Sequence, residues 1–299
     1  MAEWKTIVRD KHFLEAPRWR DGRLWFSDFY GERVYSVDEH GKGERVELTV
    51  PGQPGGIDWL PDNRLLIVSM IDRTLLRREP SGELVVHADL SGFATGQAND
   101  MVVTASGHAY VGNFGFDLMA GGNVEPTCLL CVAPDGTVSI AADDLWFPNG
   151  SVLTPGGELL VAETFGNRVT GFSVASDGRL QDRRTWAQFG PEPESRPLAD
   201  AMARLCVAGD GICLDGDGGL WIADAMGNRL VKAEDGVGIV DEIRCDAPVY
   251  ACAIGGSDMR TMFICTAPDF HGDARSAATD GRIMACHLDV MSKAVESVE

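Results

Sequence analysis

Basic residues are scarce in this chain. Its 299 residues include 26 Lys and Arg against 45 Asp and Glu, a formal net charge of −19. Such a surface repels nucleic acid and anionic lipid, which argues against both as partners. Long apolar runs are missing as well. None approaches the roughly 18 residues of a membrane span, and the N-terminal segment has neither an apolar stretch of signal-peptide length nor a cleavage pattern. These absences predict a soluble, cytoplasmic protein. The eight cysteines fit buried thiols in a reducing compartment. Cys128 and Cys131 are the one close pair. Residues three apart on a strand face opposite ways, and no second Cys pair or neighbouring His completes a zinc or redox motif. There is no G-x-S-x-G elbow, and Ser151 has no partnered His, so a serine hydrolase does not fit. Phosphate-binding glycine motifs, heptads, long amphipathic helices and βαβ alternation are absent too.

What is present is a repeat. Residues 209–231 carry the apolar runs Ile212-Cys213-Leu214 and Leu220-Trp221-Ile222-Ala223, joined by the turn Asp215-Gly216-Asp217-Gly218-Gly219. A third run, Arg229-Leu230-Val231, follows the turn Met226-Gly227-Asn228. Short apolar runs between Gly/Asp/Asn clusters read as strands of a meander. Residues 149–169 repeat the pattern: Ala223-Asp224-x-x-Gly227-Asn228-Arg229 echoes Ala162-Glu163-x-x-Gly166-Asn167-Arg168, and residues 24–34 carry it again.

Six such units follow one another, beginning near Glu15, Gly55, Asn99, Asn149, Asp210 and Tyr250. Repeats of about 40 to 60 residues with about four strands each describe a β-propeller. The predicted fold is all-β: a six-bladed β-propeller of four-stranded antiparallel blades, one domain over residues 1–299. The lone N-terminal strand, residues 5–8, is expected to close the ring as the outer strand of unit six, because unpaired sheet edges invite aggregation. A further weak strand is expected over 294–298. Unit three holds a Gly- and Phe-rich insertion between its second and third strands, residues 113–127, and an insertion of that length is more often functional than decorative. Residues 189–203 read as a loop with a short helical turn near 200–205, and 268–280 as a loop.

In a propeller the innermost strands line a central channel. The positions just before them are Glu15, Gly55-Gly56, Asn99-Asp100, Asn149-Gly150, Asp210-Gly211 and Tyr250-Ala251. Four of the six bring side-chain oxygens, so they are expected to converge on one mouth as a hard-cation site. Carboxylate and amide oxygens suit calcium or magnesium, with manganese or iron also accommodated. The alternative for Asn99, Asn149 and Asp210 is turn capping at strand starts. Glu15 fits that alternative poorly, and a carboxylate in a narrow channel needs a positive partner.

Leu14-Glu15-Ala16-Pro17, Gln97-Ala98-Asn99-Asp100, Phe147-Pro148-Asn149-Gly150 and Gly209-Asp210-Gly211-Ile212 resemble the signature segments of the senescence marker protein/gluconolactonase/regucalcin family. The resemblance spans about residues 13 to 290. It implies a propeller with one divalent metal, calcium first and Zn, Mn, Mg or Fe as alternatives, held by Glu15, Asn149 and Asp210. Asn99 would complete the shell or bind substrate. It also implies lactone hydrolysis. Asp210 is the first choice for general base, because a carboxylate on the metal can also reach a bound water, with Asp100 in reserve and Glu15 as the second catalytic candidate. A phosphotriesterase-like hydrolase on the same site and a non-catalytic calcium-binding propeller are the alternatives. The chain departs from the sugar-lactone pattern at Gln97, where those members often carry Arg. Phe114, Phe116 and Met119 of the insertion are expected to wall the pocket, which favours less polar lactones. The expected partner is a small-molecule lactone, and the expected state a monomer or weak homo-oligomer. His271 is the one histidine expected within reach of the mouth.

Overall fold

The computed structural model describes residues 3–288. The strand expected over 294–298 lies outside the described residues. Six four-stranded antiparallel sheets form a ring, with two short helices among the described residues, Leu198–Met202 and Gly272–Ala277. The innermost strands are Leu14–Arg20, Pro54–Trp59, Ala98–Val103, Pro148–Leu153, Gly209–Leu214 and Val249–Gly255. Each touches the next around the axis, and the sixth touches the first. This is the six-bladed propeller that the repeat predicted.

The ring closes as expected. In the sixth sheet the N-terminal strand Lys5–Lys11 pairs antiparallel with Gly281–His287, matching Lys5 to Ala285 and Lys11 to Gly281. That pairing covers an edge that would otherwise be a template for association. The core sits between neighbouring blades rather than in one central mass. Leu160 and Ala162 of blade four pack with Ile212, Leu220 and Ile222 of blade five. Leu24 and Phe26 of blade one pack with Ala251 and Phe263 of blade six.

The repeated motif has a structural explanation. Its carboxylate is buried at the end of the second strand, and its arginine opens the third. Glu163 and Arg168 are 2.7 Å apart, Asp224 and Arg229 2.8 Å. The same carboxylates accept backbone N–H groups just ahead of an inner strand: Trp146 donates to Glu163 at 2.8 Å and Ala208 to Asp224 at 3.0 Å. Asp28 does this for Phe13 at 3.1 Å. A Cβ on Gly227 would lie 2.1 Å from the Asp224 carboxylate, so the glycine makes room for the anchor. The motif thus ties each outer turn to the segment that enters the channel.

Two loops fold beyond what their sequence signals. The helix in the fifth-blade connection starts at Leu198, slightly ahead of the expected turn. Residues 268–280, read as a loop, contain the helix Gly272–Ala277. Its buried Arg275 binds Asp269 at 3.1 Å and also pairs with Asp280, a clamp that depends on residues outside the helix. Cys128 and Cys131 do face opposite packing layers, whereas Cys206 is exposed, unlike the buried thiol expected.

Two predictions follow from this packing. Arg168→Met leaves the fully buried Glu163 carboxylate without its cation, so stability should fall by roughly 3–5 kcal/mol, read by urea denaturation. A chain beginning at His12 loses the closing strand and should elute as aggregates in size-exclusion chromatography.

Candidate active site at the channel mouth

Each inner strand carries a register irregularity near its start, where the next sheet position would otherwise continue. The shifts fall between Glu15 and Arg18, Pro54 and Ile57, Ala98 and Met101, Pro148 and Ser151, Gly209 and Ile212, and Val249 and Ala251. Bulges of this kind re-aim side chains. The positions expected just before the strands are therefore the second residue within each strand: Glu15, Gly55, Asn99, Asn149, Asp210 and Tyr250. Ala16, next to Glu15, sits at φ 48°, a left-handed conformation that costs a side-chain-bearing residue energy. Gly211, next to Asp210, sits where a Cβ would meet the Ala251 Cα at 2.7 Å.

The result is a cavity of about 90 Å³ that Glu15, Asn99, Asn149 and Asp210 all line. The structure thus brings together the four residues picked from the sequence as oxygen ligands. Asn149 Nδ2 donates to Thr164 Oγ1 at 3.1 Å, and that hydroxyl donates to the Gly209 carbonyl at 2.8 Å. Asn149 also hydrogen-bonds the Asp210 carboxylate. Among the described residues neither Glu15 nor Asp210 belongs to an ion pair. Burial raises the Glu15 carboxyl well above the usual range, and repulsion from Asp210 and Asp100 adds to it. Burial likewise raises Asp210, with Asp100 as the repelling neighbour and the Asn149 hydrogen bond opposing.

Asp100 behaves differently. Arg18 Nη2 meets its carboxylate at 3.1 Å and the Met101 carbonyl at 3.0 Å. Arg18 and Asp100 are side by side in the channel, and Asp58, whose carboxylate accepts the Val103 N–H at 2.7 Å, feels the same guanidinium. The reserve base of the sequence reading is thus already salt-bridged. Arg18 itself went unnoticed in the sequence, because nothing in one strand says that its side chain crosses the axis to another blade.

The aromatic wall is broader than the insertion. Phe114 and Met119 line the cavity as expected. Phe116 stands one layer behind, edge-on to Phe165 at 5.6 Å between ring centres. Gln97 lines neighbouring hollows instead, and its buried Oε1 meets no hydrogen-bond donor among the described residues. His271 also lies in one of these side hollows. The missed wall residues share the register of Phe114: Phe29-Tyr30, Thr164-Phe165 and Ala225-Met226 each follow directly on the second strand of a blade, as Phe114 does. That repeat position was the available signal.

Residues 13–268 match the family described as SMP-30/Gluconolactonase/LRE-like region. The chain belongs to that family. Regucalcin of Danio rerio is 22% identical over 277 residues, 88% of this chain and 86% of that protein. The SMP-30/gluconolactonase-like fold is equally evident in solved structures. A gluconolactonase from Xanthomonas campestris superposes with a TM-score of 0.71 at 22% identity, covering 96% of this chain and 90% of that one. A calcium-binding regucalcin from Agrobacterium tumefaciens gives 0.75 at 17% identity, covering 95% and 93%.

The donor set fits a hard divalent cation. Among the described residues no group of three or more His, Cys, Asp or Glu gathers in metal-binding fashion, so the candidate donors are two carboxylates and two amides. Those are oxygen donors, the kind calcium and magnesium take. A cation there would also relieve the repulsion that raises Glu15 and Asp210.

The sign of that repulsion is testable without metal. With both carboxyls raised, the folded state keeps their protons to a higher pH than the unfolded chain does. Their contribution to stability is therefore full below the unfolded carboxyl range, about pH 4, and is lost as pH rises through the raised folded values. In chelator, Asp210→Asn should melt above the unsubstituted protein at pH 8, by about 2–4 °C for each kcal/mol of repulsion removed. The gap should narrow toward pH 5, as scanning calorimetry would record.

Proposed function

We propose that the protein is a metal-dependent lactonase that opens a cyclic ester to its hydroxy acid. One observation carries this reading: two carboxylates that belong to no ion pair among the described residues, set beside two amides on the floor of a cavity, in a family that includes gluconolactonases. Glu15, Asn149 and Asp210 would hold the ion, and Asn99 would complete its shell or hold the substrate. Calcium is the first candidate, in keeping with the calcium-binding regucalcin of similar fold. When bound, the ion supplies Lewis-acid polarisation of the carbonyl and of water.

The chain's own residues do the rest. Asp210 takes the proton as the water oxygen bonds to the carbonyl carbon. The ring C–O bond breaks, and the proton passes to the departing ring oxygen. Asp210 is favoured over Asp100 because Arg18 already occupies the latter. Glu15 supports the same charge balance from blade one, and the apolar wall keeps bulk water from the reacting centre.

A panel of γ- and δ-lactones, glucono-1,5-lactone and an organophosphate triester, with and without chelator, tests the assignment. Lactone turnover should vanish with chelator and return with a divalent ion. Asp210→Asn should lower kcat by roughly 10²–10⁴-fold. Turnover of the triester alone would instead point to phosphotriester hydrolysis, and metal binding without any turnover to a non-catalytic calcium protein. In calorimetry, calcium at about 100 times its Kd should stabilise the unsubstituted protein by about 2.7 kcal/mol. Glu15→Gln should blunt that response.

A further inference from the structure

The cavity above Glu15 and Asp210 has a polar floor and an apolar wall. Among the described residues that line it there is no Lys, Arg, His, Ser or Gln. The Thr164 hydroxyl is committed at both ends, accepting from Asn149 and donating to the Gly209 carbonyl. Two phenols remain. Burial lifts the Tyr30 hydroxyl to about 12, and burial with the Asp210 charge lifts Tyr250 further, so both stay neutral. Tyr250 packs its ring on Phe13 at 4.6 Å between centres. A sugar lactone would bring several hydroxyls into this space. Each one left without a partner weakens binding roughly tenfold.

The wall is built rather than incidental. Phe147 stands two residues before Asn149, with φ 59°, a conformation that bulky residues rarely adopt. Strain of this kind persists where the surroundings over-determine it. Here the Thr164 N–H donates to the Phe147 carbonyl at 3.0 Å, and the Phe165 N–H to that of Trp146 at 3.2 Å. The held ring meets Phe114 at 4.5 Å and stacks on Phe165 at 5.9 Å. Phe114 comes from the insertion of blade three, so two blades combine into one aromatic face beside the floor. The Gln97 side chain is turned into a side hollow and is not among the residues that line this cavity.

We propose that this site selects a monocyclic lactone bearing an alkyl or aryl substituent over a polyhydroxylated lactone, with Phe147 and Phe114 as the surfaces that read the substituent. The inference rests on the lactonase reading and narrows it. The ester would sit over the floor with its substituent against the aromatic face. Binding gains then come from apolar area removed from water, about threefold to fourfold per added methylene until the cavity is full.

The test uses the full chain with calcium. Across γ-butyrolactone, γ-hexalactone and γ-octalactone, kcat/KM should climb by about that factor per methylene. Glucono-1,5-lactone should trail γ-octalactone by roughly a hundredfold or more. Phe147→Ala should cost γ-octalactone roughly tenfold more in kcat/KM than it costs γ-butyrolactone, mostly through KM. Equal or better turnover of the sugar lactone would overturn the proposal while keeping the lactonase reading. Calorimetric binding of the non-hydrolysable lactams, alkyl-substituted against polyhydroxylated, reads the cavity without turnover and without a variant that must fold. Tight binding of the alkyl lactam with no lactone hydrolysed would keep the cavity assignment and sink the lactonase. Preference for the polyhydroxylated lactam, or binding of neither, would overturn the proposal outright.

Discussion

Taking a carboxylate out of water away from a cation is costly, and this propeller does so with the half-buried Glu15 and the buried Asp210, on the inner strands of blades one and five with blade six between them. Much of the surrounding architecture serves that placement. The ring must be closed, or blade six would not bring those two strands to one mouth. The strands must be irregular near their starts, or the side chains would follow the regular alternation of a sheet. The backbones must approach closely, which is why Gly211 lies against Ala251 with no room for a Cβ. On the proposed function, a divalent ion held by these carboxylates would offset that cost.

The channel divides its charges along its length. Arg18 neutralises Asp100 and tempers Asp58 deeper in, by contacts of 3.1 Å and by proximity. At the mouth no arginine or lysine lines the cavity among the described residues. One end of the channel is thus a salt-bridged structural network, and the other gathers carboxylate and amide oxygens outside any ion pair beside an aromatic wall. Networks of the first kind hold blades in register. Groups of the second kind are those that perturbed environments reserve for chemistry.

The blade-to-blade anchors link these two levels. Glu163 and Asp224 end the second strands of their blades, bind the arginines that open the third, and hold the amides that lead into the inner strands. The motif that marks the repeat in the sequence is scaffolding. The residues that line the cavity are less conspicuous in the sequence, because each occurs once and differs from blade to blade. Repeats report what every blade needs, whereas a site on the axis needs different groups from each.

Local patterning was enough to read the all-β class, the six units, the closing strand and the four oxygen-bearing positions. Each depends on short-range periodicity and on a register that the repeat itself supplies. The wall that Phe29, Phe165 and Met226 add, the salt bridge that occupies Asp100, the turning of Gln97 into a side hollow and the helix clamped by Arg275 were settled only by tertiary structure. The wall and the Arg18–Asp100 salt bridge join residues tens to hundreds of positions apart, decided by how far one blade's side chain reaches past its neighbour, and the Arg275 clamp joins near neighbours through a loop conformation that no repeat supplies. No periodicity within a single strand encodes that distance.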